Sequence, residues 1–163
     1  MSTKRPAFAG ESIGRTSRIG IVAARFNHEI VDELLSGCLR RLEELGVRRN
    51  RIVIERVPGA FEIPLAAKAM CHTKKYAAVI CLGAVVRGQT PHFDFVAGEC
   101  ARGIAQVARD EMIPVIFGVP TTNNQKQAKD RIGGKHGHAG RSAAEAAIEM
   151  IAVMARIRSV KSA

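Results

Sequence analysis

The sequence predicts a three-layer α/β/α domain around a central parallel sheet of four strands. Two observations predict it. From Arg18 onward, short apolar runs alternate with longer runs whose apolar residues recur every three or four positions, the order that builds parallel strands joined by crossover helices. The strand runs are also apolar almost throughout, IPVIFGV (Ile113 to Val119) most of all, which suits strands covered on both faces. With no internal repeat and no linker, residues 18–163 read as one domain behind a polar N-terminal segment, residues 1–17.

RIGIVAAR (Arg18 to Arg25) is the first strand, and the polar turn FNHE ends it. Ile30, Val31, Leu34, Leu35, Cys38, Leu39, Leu42 and Leu45 then mark one face of a helix, with Gly46 where a C-cap belongs. RIVIERV (Arg51 to Val57) is the second strand, closed by Pro58-Gly59. Ala60 to Cys71 reads as a helix whose regular part begins near Ile63, because Pro64 is tolerated only in a first turn. Tyr76 to Val86 is the third strand. His92 to Glu111 is a helix with Phe95, Val96, Cys100, Ile104, Val107 and Ala108 on its apolar face. After the fourth strand, Ile113 to Val119, the cluster Thr121 to Asn124 offers N-caps for a short helix reaching Arg131. GGKHGHAG (Gly133 to Gly140) reads as a glycine-rich loop, and Ser142 to Ile157 as the last helix.

Composition excludes several classes of function. No apolar run approaches the ~20 residues of a membrane-spanning helix, and MSTKRPAFAGESIGRTS lacks the apolar centre of a signal peptide. The expected location is the cytoplasm, with no membrane partner. Cys38, Cys71, Cys81 and Cys100 form no CxxC pair and read as buried free thiols rather than disulfides or a metal site. The formal charge of +10 raises nucleic acid as a partner. Yet the densest cluster, RRLEELGVRRNR, contains two glutamates, and 4% aromatic residues leave little surface for base stacking. Nucleic-acid binding is therefore not the expected role.

Open parallel sheets bind ligands beyond the carboxyl ends of their strands. Here the four strand exits, Phe26-Asn27, Val57 to Glu62, Val85 to His92 and Phe117 to Thr122, hold most of the unusual chemistry. RGQTPH (Arg87 to His92) puts backbone N–H groups and a threonine hydroxyl at a helix start, which favours an anion. The same residues also read as a plain capped turn, with Thr90 as the N-cap and Pro91 in the first helical position. His92 suits general acid–base work because imidazole changes charge near neutrality, or is an ordinary polar turn residue, with Asp94 placed to orient it. Glu62 either holds a polar ligand or caps its own helix. These residues alone support an anion-binding α/β enzyme.

The ordered blocks ARFN, VPGAFEIP, GAVVRGQTPHFDFVAGE, PVIFGVPTT, QAKDR and AAIEM resemble the lumazine synthase family, over roughly Arg18 to Arg158. The two longest blocks carry most of the specificity. The resemblance implies a flavodoxin-like fold and a transferase of riboflavin biosynthesis, 6,7-dimethyl-8-ribityllumazine synthase. Such an enzyme condenses 5-amino-6-(D-ribitylamino)uracil with 3,4-dihydroxy-2-butanone 4-phosphate and releases phosphate and water, with no metal and no organic cofactor. It further implies a role for each matching residue. Phe26 stacks on the pyrimidine; Asn27, Ala60, Phe61 and Glu62 hold the ribityl chain and uracil; Val85 and Val86 give backbone contacts. Gln89, Thr90 and Arg131 hold the phosphate, His92 is the acid–base group, and Phe117 reaches the site from a neighbouring subunit. A paralogue that carries flavin or lumazine without catalysis is the reading of a different class.

Two departures stand out. A lysine usual after the clamp arginine aligns with Ala139, leaving Lys135, His138 or Arg141 to supply its charge, and TTNN replaces the common TTDT. The resemblance also implies homo-oligomers with sites shared between adjacent subunits. Phe117 then completes a pocket to which His92 and Arg131 can come from the adjoining chain, and an N-terminal segment, here containing Pro6 to Phe8, pairs with a neighbour's sheet. The expected minimum is a pentamer. The length of Gly133 to Gly140 favours an icosahedral shell, and the repeated positive charge opposes one. Riboflavin synthase is a further partner that the resemblance suggests.

Overall fold

The computed structural model describes residues 16–160; the segment Pro6 to Phe8 lies outside them. Four parallel strands, β1 (Ile19–Ala24), β2 (Ile52–Val57), β3 (Ala78–Leu82) and β5 (Val115–Gly118), form one sheet in the order β2-β1-β3-β5. Ile19 of β1 is level with Ile52 on one side and Ala78 on the other, so the strand exits align at one end. Helices α1 (His28–Glu44) and α5 (Ala139–Ser159) cover one face, and α2 (Ile63–His72) and α3 (His92–Glu111) the other. The expected three-layer α/β/α architecture with its central four-stranded parallel sheet is the one observed.

The period of two along each strand divides the core. Ile19, Ile21 and Ala23 of β1, with Ala78, Ile80 and Leu82 of β3, meet Val31, Leu34, Cys38 and Ile148. Val22, Ala24, Val79 and Cys81 face the other way, toward Ile63, Ala67, Cys100 and Ile104. All four cysteines are buried and free. Burial pushes the Cys38 thiol up to about 12 and Cys71 and Cys100 up to about 11, so none is a nucleophile at neutral pH.

Local chemistry sets the element ends. Gly46 adopts φ 89, and the Val47 amide donates to the Leu42 carbonyl at 2.9 Å while the Gly46 amide donates to Glu43 at 2.9 Å, a Schellman stop for α1. Residues Ala60–Glu62 form a 3-10 turn before α2, as Pro64 requires. Gly103 of α3 lets the two helices close, since a Cβ there would lie 2.6 Å from Pro64.

Five readings need correction. The third strand stops at Leu82; after Gly83-Ala84 the chain forms β4 (Val85–Val86), which pairs with β6 (Thr121–Thr122) in a separate two-stranded ladder. Strand β5 has α3 on one face and α5 on the other, but they cover it only in part. It is the sheet's edge, so Val115 and Ile116 are half-buried and Phe117 is 46% exposed. Phe95, placed on the buried face of α3, is 67% exposed. The glycine-rich segment is not a loop but an antiparallel hairpin, β7 (Ile132–Gly134) and β8 (Gly137–His138), turned by Gly137 at φ 78. Helix α5 starts at Ala139 rather than Ser142, because the His138 ring caps it: Nδ1 accepts from the Arg141 amide at 3.4 Å. The short helix α4 (Gln125–Lys129) does begin in the expected cluster, with the Asn124 side chain accepting from the Gln127 amide at 2.9 Å.

The His138 ring lies against Gly37 of α1, with Nε2 buried and without a partner among the described residues. Burial, then the positive Arg40 and Arg141, hold its pKa below the ordinary imidazole value. The unfolded chain therefore binds this proton more readily than the fold, and stability present above pH ~6.5 is lost as pH falls through the lower folded-state value. Asparagine also caps helices but does not titrate. The expected result is that His138→Asn melts with a weaker pH dependence than the wild type between pH about 7.5 and about 5.5. Parallel melting curves across that range would contradict the assignment.

Candidate active site

The exits of β1, β2 and β3 enclose a cavity of about 710 Å³. Phe26, Asn27, Ala60, Phe61, Glu62, Val85, Val86, Thr90 and His92 all line it. Phe26 is 72% exposed, which rules out a core phenylalanine; its amide donates to the Pro58 carbonyl at 3.0 Å and holds the ring at the rim. Asn27 adopts the left-handed region, φ 57, and its side-chain amide donates to the Ala84 carbonyl at 2.8 Å, satisfying the group freed where the third strand breaks. Glu62 acts as a cap, its Oε2 accepting from the Gly59 amide at 3.0 Å at the turn before α2, and it also lines the cavity. Alternation along β4 turns the N–H and C=O of Val86 away from β6, on a residue that borders the cavity.

The His92 imidazole makes no hydrogen bond or ion pair among the described residues. Its amide donates to the Thr90 hydroxyl at 3.4 Å; Pro91, not Thr90, is the N-cap of α3 and has no side-chain cap bond, so Thr90 steadies the turn while lining the cavity. Asp94 does not orient His92; it accepts from Arg87 at 3.3 Å. Arg87 also donates to Asn123 at 3.2 Å and stacks on Phe93, 4.3 Å from the ring centre. This clamp on the loop was missed in the sequence, where Arg87 is one polar residue among many in the turn. Gln89 is exposed and lines neither this cavity nor the next.

A second cavity of about 430 Å³ lies along β5 and β6, lined by Phe117, Thr121, Thr122, Arg131, His136, Ala139 and Ser142 among others. Strand β4 borders the first cavity and β6 the second, so the ladder stands between them. One chain thus separates Phe117 and Arg131 from His92, and it groups Arg131 with Phe117 rather than with the acid–base candidate.

The sequence model of the 6,7-dimethyl-8-ribityllumazine synthase family matches residues 16–155. The chain belongs to that family. Lumazine synthases serve riboflavin biosynthesis, and membership implies small-molecule substrates and an oligomeric assembly. No helix of the described residues is long and apolar enough to cross a membrane.

Two of the three residues expected to supply the charge missing at Ala139 are engaged elsewhere in the chain. Arg141 donates to both carboxylate oxygens of Glu44, at 3.1 and 2.7 Å, and the Arg141 and Arg41 hydrogen bonds hold that carboxyl down to about 2. His138 is the helix cap. Lys135 is exposed in the hairpin turn and does not line the cavity.

Proposed function

We propose that the chain condenses 5-amino-6-(D-ribitylamino)uracil with 3,4-dihydroxy-2-butanone 4-phosphate to 6,7-dimethyl-8-ribityllumazine, as a transferase that releases phosphate and water. One observation carries the reading: in a chain of this family, a single cavity gathers an aromatic rim, a carboxylate, exposed backbone and an unpartnered histidine. Phe26 stacks on the pyrimidine, Val86 offers its backbone groups to the ring's edge with Val85 lining the cavity beside it, and Glu62 accepts from ribityl hydroxyls beside Asn27, Ala60 and Phe61. The phosphate sits by the Gln89-Thr90 turn and Arg131. Imine formation needs a proton delivered to departing water, and loss of phosphate needs one removed from carbon; His92 is placed for both transfers.

The second cavity belongs to the same site of a neighbouring chain, so Phe117 and Arg131 of one subunit close over the Phe26–His92 cavity of the next. Phe26, Phe61 and Phe95, at 72%, 58% and 67% exposure, rim a cavity that is open in one chain, as an interface between subunits requires. The assembly is a pentamer at least, within the cytoplasm.

The test is incubation of purified protein with both substrates while the lumazine chromophore is followed. Turnover is expected, and His92→Ala should lower it about tenfold or more with substrate binding retained. An unchanged rate in that variant would remove His92 from the mechanism. No turnover, with tight flavin binding instead, would replace the enzyme by a carrier.

A further inference from the structure

The cavity along β5 and β6 holds two nitrogen-rich side chains that nothing in the fold employs. The Arg131 guanidinium and the His136 imidazole both line it, and neither has a hydrogen bond or ion pair among the described residues. The neighbouring Arg141 is taken up by Glu44. No carboxylate is among the residues lining the cavity, in contrast to the first cavity with its Glu62. Polar groups collected in one cavity without an acid to answer them match an anionic ligand.

The backbone holds His136 there. Its amide donates to the Asp130 carbonyl at 3.1 Å across the hairpin, and the Ala139 amide donates to the Arg131 carbonyl at 2.7 Å. Arg131 and His136 are thus fixed at the base and tip of one short hairpin, with the small side chain of Ala139 lining the same space. We propose that His136 is a substrate-binding residue that donates a hydrogen bond from its imidazole to the phosphate held by Arg131. The phosphate is that of the ketose substrate, so this assignment rests on the function proposed above.

The experiment is calorimetric titration of inorganic phosphate into the wild type, His136→Ala, His136→Gln and Arg131→Ala, with steady-state kinetics on both substrates. Loss of one charge-assisted hydrogen bond should weaken phosphate about tenfold in His136→Ala, and raise the KM for the butanone phosphate by a similar factor. The KM for the pyrimidine and the melting temperature should not move. His136→Gln keeps an N–H donor and should recover part of the loss. Phosphate affinity unchanged in His136→Ala but lost in Arg131→Ala would overturn the role of His136 and leave the proposed reaction standing. Phosphate affinity lost in both variants of a protein that forms no lumazine would keep His136 as an anion ligand and remove the reaction. A wild type that binds no phosphate would overturn the assignment outright.

Discussion

Gly140→Ala should unfold the protein at temperatures where the wild type is intact. At this position α5 starts against α1, and a Cβ would collide with the Leu34 carbonyl oxygen and lie 2.8 Å from its carbonyl carbon. Backbone cannot swing aside as a side chain does, so one helix must lift from the other. Overpacking costs typically ~1–3 kcal/mol, and a clash with main chain belongs at or above the upper end. At 2–4 °C per kcal/mol for a domain of this size, the melting temperature should drop by roughly 6–12 °C. Gly88→Ala is the control, because nothing lies within 4 Å of a Cβ there. Equal melting temperatures for the two variants would mean that α1 and α5 are less tightly opposed than described.

Arg131→Ala should raise the KM for the butanone phosphate about a hundredfold, the loss of two charge-assisted hydrogen bonds, and leave the KM for the pyrimidine almost unchanged. Arg131→Lys should recover only part, since an ammonium cannot reproduce the planar fork. Equal damage to both constants would contradict the phosphate role. The same variant tests the division of the site between chains. His92→Ala and Arg131→Ala subunits, each crippled alone, should regain activity when co-assembled, because some interfaces then join an intact His92 to an intact Arg131. Simple averaging of the two residual rates would show that each chain works by itself.

The strands and helices were legible because their periods are regular. The start of α3 at His92 was legible as well, although Pro91 is its N-cap rather than its first helical residue. What failed was the reading of apolar residues that meet no core. Phe95 and Phe117 sit in runs that look buried, yet a pattern of apolar residues does not say whether the face they mark is closed by this chain. The break after Leu82 was invisible for a related reason. Gly83-Ala84 is as apolar as the strand before it, and only packing reveals that Ile63 would lie 3.0 Å from a Cβ at Gly83. At the site, the β1, β2 and β3 exits could be assembled from topology. The His136 position could not, because a segment of four glycines and two histidines reads as a loop until Gly137 turns it into a hairpin.

The joining of α5 to α1 also bears on how the chain is made. Arg41 and Glu145 meet at 2.9 Å across 104 positions of sequence. A ribosome releases β1, α1, β2 and β3 first, and their inner strand pairs can form early. The flank carrying Val31, Leu34, Cys38 and Leu42 then waits, uncovered, for the last helix. Closure at such long sequence separation is slow, so the nascent chain passes through an interval in which half its core is wet. A message truncated before α5 would leave that interval without an end, and its product would be a substrate for chaperones and proteases rather than a shorter enzyme.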